Sequence, residues 1–174
     1  MKNYKHIQSK KVLITGHTGF KGSWLSFFLK HLNCEIYGIS DFEFEGIYKL
    51  TEVKSLFEKE FFIDINDTST EELIDIMKGI QPDIIFHFAA QSLVETALNN
   101  PYRTIETNSL GTLKILQAAN ECDSVSLITI ATTDKVYKYP DKKNKEDDDL
   151  FGYEFYSASK VAAENYIKAF QNNF

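Results

Sequence analysis

Short apolar runs alternate with helix-length stretches along almost all of this 174-residue chain, and that alternation limits the possible folds more than any other feature. Strands are predicted over residues 12–15, 35–39, 61–63, 83–87 and 126–131. Helices are predicted over 20–32, 48–59, 70–78, 102–120 and 156–170. Trp24, Leu25, Phe28 and Leu32 recur at helical spacing in the first helix, and Ser/Thr residues precede the one at 70 as caps. Strands that are apolar throughout need cover on both faces, which is the condition of a parallel sheet. Five of them separated by helices predict an α/β doubly wound parallel sheet. The run "DKKNKEDDD" (141–149) is too charged to be buried and reads as a solvated loop.

At 43% hydrophobic and 25% charged, the chain can bury one globular core. A net charge of −6 argues against nucleic acid as the main partner, because phosphate binding wants a basic surface. Cys34 and Cys122 have no metal or disulfide spacing and read as small buried hydrophobes. No stretch reaches the ~18 apolar residues of a membrane span. The apolar run after the basic start is too short for a signal peptide. A cytoplasmic protein is expected.

The first strand runs straight into "GHTGFKGSW" (16–24), with glycines at 16, 19 and 22. In a dinucleotide site Gly16 would allow the tight turn, Gly19 the approach of a pyrophosphate, and Gly22 the close packing of the helix. Free N–H groups and the helix dipole would then hold the anion. A plain tight turn is the alternative. A ribose-binding acid is expected ~20 residues on. Asp41, 22 positions after Gly19, is the candidate; Glu43 and Glu45 compete, and Asp41 could equally be a turn residue. No arginine lies near it, which favours NAD over NADP.

"YSASK" sets Tyr156 and Lys160 one helical turn apart, on one face. A phenol titrates near about 10, and a neighbouring ammonium favours its ionised form. The pair could therefore take a proton from a sugar hydroxyl while hydride leaves for a nicotinamide, or it could be a surface pair. "ATTDKVY" closes the fifth strand. Ligands in such sheets bind beyond the carboxyl ends of the strands, which places Thr133, Asp134 and Lys135 at the expected site. An Asp beside a Lys there can serve as acid and base, or simply end the strand in an exposed turn.

"GHTGFKGSW", "HFAAQSLV", "TTDKVY" and "YSASKVAAE", in this order, resemble the extended short-chain dehydrogenase/reductases, the NAD-dependent epimerase/dehydratase family. Lys135 after Asp134 resembles the CDP-sugar branch of the nucleotide-sugar 4,6-dehydratases. The resemblance runs from residue 11 to about 172. It implies a Rossmann fold and a redox-neutral lyase that converts CDP-glucose to CDP-4-keto-6-deoxyglucose, a precursor of bacterial surface polysaccharide. It implies that Tyr156, assisted by Lys160 and Thr133, deprotonates the 4-hydroxyl, that Lys135 is the C5 base, and that Asp134 is the acid for the 6-hydroxyl. NAD contacts are implied for Gly16, His17, Thr18, Gly19, Phe20, Lys21, Gly22, Asp41, Asp64, Ile65, Ala89, Ala90, Gln91, Asn108, Tyr156 and Lys160. Asp64 could instead cap a turn, and Asn108 satisfy a helix kink. No metal is implied.

The sequence departs from this family at Thr133, where serine is usual, at Phe155, where proline is usual, and in the loop before Lys145, which is shorter and lacks a tryptophan-bearing stretch. The family's C-terminal substrate domain lies outside this sequence. Residues 1–174 are therefore expected to be one NAD-binding domain, truncated before the substrate part, with little or no dehydratase activity alone. A homodimer through the helices 102–120 and 156–170 is expected. A nucleotide-sugar epimerase and a non-catalytic NAD-binding module are the competing readings.

Overall fold

The structure is a computed structural model that describes residues 4–139 and 141–174, and the chain divides into two compact units. The first unit comprises residues up to Ala89 together with Gln117–Ile130. It holds a five-stranded parallel sheet in the order β3-β2-β1-β4-β5. The strands are β1 (Lys11–Thr15), β2 (Glu35–Ser40), β3 (Lys59–Phe62), β4 (Ile84–His87) and β5 (Leu127–Ile130). Its helices are α1 (Phe20–His31), α2 (Ile47–Leu50) and α3 (Thr70–Ile80).

Central β1 pairs with β2 and β4, so that Val12 lies opposite both Ile36 and Ile84. Val12 and Ile14 enter a cluster with Leu29, Cys34, Ile36 and Ile84. Leu13 points to the other face, as the period of two dictates, and is equally buried. Each such side chain contributes about 1.5–3 kcal/mol on burial. The outer strands β3 and β5 are only half covered; Leu127 is 47% exposed. Both cysteines are free and buried, in accord with their reading as small hydrophobes.

Helix α3 has the outline its sequence predicts. Ser69 accepts from the Glu72 N–H while the Glu72 carboxylate accepts from the Ser69 N–H, and Leu73, Met77 and Ile80 face inward. Helix α1 differs. Leu25 and Leu32 pack on the core, but Trp24 and Phe28 point to solvent. The inward face is Gly22, Ser23 and Ser26, small residues that let this helix lie close to the turn before it, and Leu29, which enters the core. The helix expected over 48–59 is also broken. Only α2 and a 3-10 stretch, Glu52–Leu56, are helical, with Thr51 extended between them. Residues from Lys59 are drawn into parallel pairing with β2, Lys59 opposite Tyr37, and tertiary pairing overrides local propensity.

The second unit comprises Ala90–Leu116 and Ala131–Phe174. It contains α4 (Val94–Asn99), α5 (Pro101–Ile105), a π-helical turn (Glu106–Leu110) and α7 (Phe155–Asn173); α6 (Gly111–Asn120) runs out of it into the first unit. Helix α4 is an addition to the predicted elements. It stops at Asn100 because the residue before a proline is disfavoured in helical conformation, and Asn100 then caps α5, its side chain accepting from the Arg103 N–H. The long helix expected over 102–120 is continuous only through the π turn. Helix α7 opens on Glu154, whose carboxylate accepts from the N–H groups of Tyr156 and Ser157. The loop at 141–149 is exposed, as expected, and is tied internally by Asp148, which accepts from Lys142 and from the Lys145 N–H.

Candidate functional site

In the first unit the carboxyl ends of four adjacent parallel strands deliver the residues expected to contact the cofactor. Strand β1 leads into Gly16, β2 into Asp41, β3 into Asp64 and Ile65, and β4 into Ala89. Gly16 has φ +71°, the left-handed region that favours glycine. A side chain there would also meet the Ala89 nitrogen at 2.6 Å. Gly16 N–H donates to Ile39, and the Gly19 N–H donates back to Gly16 at 3.1 Å, closing the turn. At Gly22 a Cβ would sit 2.6 Å from both the Gly16 oxygen and the His17 Cα, so α1 rests directly on the turn. At Gly19 the nearest neighbour of an added Cβ is the Gly16 oxygen at 3.3 Å, which leaves room on the outer side.

The start of α1 is built for an anion. Gly19 brings no side-chain cap, and the first turn holds no acidic residue. Helices α3 and α7 both satisfy their first N–H groups with their own cap side chains, Ser69 and Glu154. The unpaired N–H groups at the mouth of α1 therefore fit a phosphate, which the dipole also favours. Phe20 and Lys21 are exposed beside them.

Side chains then lock the turn. Thr18 donates to the Phe42 carbonyl at 2.9 Å and to Ser40 Oγ at 3.2 Å. Thr15 Oγ1 and His87 Nδ1 pair at 2.6 Å, and the Ala89 N–H donates to Thr15 Oγ1. His17 is fully buried, its Nε2 2.9 Å from Glu60 Oε1, which also accepts from the Tyr48 hydroxyl. Its ring lies over Gly38, where a Cβ would come within 2.5 Å of it. Burial lowers the His17 pKa below its ordinary value, against the Ile39 backbone and Glu60, which raise it. Burial, Glu60 and Glu43 push the Tyr48 phenol up. His17 is thus an internal anchor of the turn. The sequence reading missed its partners Glu60 and Tyr48, which no spacing rule connects to residue 17.

Asp41 is exposed immediately after β2. The Asp64 carboxylate accepts from the Asn66 N–H at 2.8 Å and its carbonyl from Asp67 and Thr68, so the residue closes a turn, while Ile65 is buried beside it.

In the second unit Lys160 is 4% exposed, its Nζ donating to the Ala131 carbonyl at 3.1 Å. Tyr156 is half-buried one turn earlier on α7. Thr133 begins a 3-10 turn, Asp134–Val136, its Oγ1 donating to Asp134 and accepting from the Lys135 N–H, and Asp134 and Lys135 are exposed. Asn108, fully buried in the π turn, accepts from the Gln91 N–H at 2.8 Å and donates to the Gln91 carbonyl and to Ser159 Oγ. Gln91 uses its own amide on Thr104 and Leu93. Ala90 precedes it on the same segment, half-buried.

A doubly wound parallel sheet with a glycine turn after its first strand is the Rossmann arrangement. The family described as GDP-mannose 4,6 dehydratase matches residues 13–174, and the chain belongs to that family. Its relatives include nucleotide-sugar dehydratases and an epimerase. A CDP-glucose 4,6-dehydratase of Salmonella typhimurium is 33% identical over 96% of this chain and 47% of its own length. A GDP-mannose 4,6-dehydratase of Yersinia enterocolitica is 34% identical over 74% of this chain and 36% of its own. Among solved structures, a dTDP-glucose 4,6-dehydratase from Streptomyces venezuelae, with NAD and TYD bound, superposes with a TM-score of 0.80 and 25% identity, covering 94% of this chain and 52% of that one. The chain spans about half the length, or less, of the curated relatives it matches. No helix among the described residues is long and apolar enough to cross a membrane.

Proposed function

We propose that these residues are the cofactor-binding part of an NAD-dependent nucleotide-sugar 4,6-dehydratase whose substrate is CDP-glucose. The observation that carries the reading is Lys160, buried one helical turn from Tyr156, with Thr133, Asp134 and Lys135 on the segment it holds. The 33% identity to a CDP-glucose 4,6-dehydratase and the Asp134-Lys135 pair support the substrate and the elimination chemistry. The NAD in the Streptomyces venezuelae structure supports the cofactor.

The uncapped amides of residues 20–22 hold the pyrophosphate, and Gly19 admits it. Asp41 binds the adenosine ribose. Asp64 and Ile65 border the adenine, and Ala89, Ala90, Gln91 and Asn108 shape the wall near the nicotinamide side. NAD, when bound, would supply a hydride carrier, taking hydride from C4 of the sugar and returning it to C6 after water is lost. Tyr156 takes the proton of the 4-hydroxyl, with the Lys160 ammonium favouring its phenolate and Thr133 sharing the hydrogen bond. A ketone at C4 acidifies C5, and Lys135 removes that proton while Asp134 protonates the departing 6-hydroxyl. The protein acts as a homodimer in the cytoplasm.

Calorimetric titration with NAD and a product assay with CDP-glucose, GDP-mannose and UDP-glucose test the reading. The 174 residues bind NAD, and Gly19→Ala weakens that binding. They turn over little or no CDP-glucose by themselves; robust formation of the 4-keto product would overturn that expectation. Failure to bind NAD would overturn the whole reading. Where turnover is measured in a longer form, Tyr156→Phe lowers kcat by about 10²–10⁴. A monomer in light scattering would remove the dimer.

A further inference from the structure

Helix α7 ties down the segment after β5 at two successive residues. Lys160 Nζ holds the Ala131 carbonyl at 3.1 Å. One turn later Glu164 Oε1 accepts from Thr132 Oγ1 at 2.6 Å. Tyr156, Lys160 and Glu164 follow each other at intervals of four along the same helix, on one broad face. Residues 131 and 132 immediately precede Thr133, which starts the Asp134–Val136 turn. A carboxylate acceptor makes the stronger kind of hydrogen bond, and a half-buried one is shielded from competing water.

We infer that Glu164 is a positioning residue: by gripping Thr132 it fixes the register of residues 131–135 along α7, and so keeps the Ala131 carbonyl on Lys160 and Thr133 level with Tyr156. This rests on the reading of Tyr156, Lys160 and Thr133 as reacting groups. The physical point is one of degrees of freedom. A single tie at Ala131 leaves the segment free to pivot about it. A second tie one residue along the chain, about 3.8 Å away, removes the pivot. Glu164 itself touches no reacting atom in this scheme.

The test uses the 174-residue chain without NAD or sugar, so its outcome does not depend on whether the chain binds either. Peptide-resolved hydrogen exchange follows the amides of residues 131–136, and acylation by a water-soluble amine reagent, read by mass spectrometry, follows Lys160. Glu164→Ala and Thr132→Val are each expected to raise both signals about tenfold, the usual scale for loss of one charge-assisted hydrogen bond. The double variant is expected to rise no further, because both remove the same bond. Glu164→Gln, which keeps an oxygen acceptor without the charge, is expected to rise clearly less than Glu164→Ala, and Thr132→Ser, which keeps the hydroxyl, to stay within about twofold of the parent. Unchanged signals in Glu164→Ala and Thr132→Val overturn the inference. So does a rise shared equally by the amides of β1, which would mark general destabilisation, and so does a rise in Glu164→Gln as large as in Glu164→Ala.

Discussion

At the end of β1 the turn is closed by main-chain groups and braced by side chains behind it; after β5 the two ties to α7 are both made by side chains of that helix. The glycine turn closes through Gly16, Gly19 and Ile39 main-chain groups, and added carbons at 16 or 22 would strike main-chain atoms. The 131–135 segment is secured by Lys160, Glu164 and Thr133, each through its side chain. A backbone-built site depends on carbon atoms that are missing, and side chains at Gly16 or Gly22 would be strained whatever their kind. A side-chain-built site depends on particular atoms being present, and it tolerates replacements that supply them.

The largest effect should come from Gly16→Ala. A left-handed residue costs about 1–2 kcal/mol and the contact with Ala89 about 1–3 more, so chemical denaturation should show a loss of about 4 kcal/mol. Gly19→Ala, with a single neighbour at 3.3 Å, should cost less than about 1 kcal/mol while weakening NAD binding. An equal loss at both positions would erase the distinction between turn and approach.

The second unit also has a glycine at which backbone approaches closely. At Gly152 a Cβ would lie 2.3 Å from the Ala158 Cα. Gly152→Ala should cost about 2–3 kcal/mol, measured in the same way. Tyr156→Phe should change stability by less than about 0.5 kcal/mol, since among the described residues no hydrogen bond is lost with the hydroxyl. Together the two substitutions separate what shapes this region from what works in it.

A subtler effect concerns pH. Burial holds His17 below its ordinary 6.5, so the unfolded imidazole takes a proton that the folded one refuses. Stability from this source is complete above about pH 6.5 and is lost as pH falls through that value toward the folded one, by at most about 1.4 kcal/mol per pH unit. Denaturation midpoints between pH 5 and 7 should fall accordingly, and His17→Gln should flatten the slope. The smallest effect belongs to Lys10→Met, which removes a half-exposed pair with Asp83 at 2.7 Å and should cost less than about 1 kcal/mol, less still in high salt.

The same contrast explains how far the sequence could be read. Helix α3 was legible because its capping box and apolar stripe are local. The glycine spacing was legible because a backbone site shows itself through the residues it forbids. The outward turn of Trp24 and Phe28 was not, because helical spacing alone does not reveal that α1 must lie close to Gly16 and His17. Neither were Glu60 and Tyr48 as partners of His17, nor Thr132 as partner of Glu164; those pairs are made only once distant segments meet. The early end of the helix expected at 48–59 has the same origin, since pairing with β2 claims its last residue.

The π-helical turn at Glu106–Leu110 makes chain length itself part of the design. One extra residue in the turn leaves the helical stretches on either side out of phase, and Asn108, inside that turn, bonds both Gln91 and Ser159. Deleting a single residue such as Thr107 would leave a straighter, more regular helix that carries its asparagine the wrong way round. Insertions and deletions here are therefore far less interchangeable than in the exposed 141–149 loop.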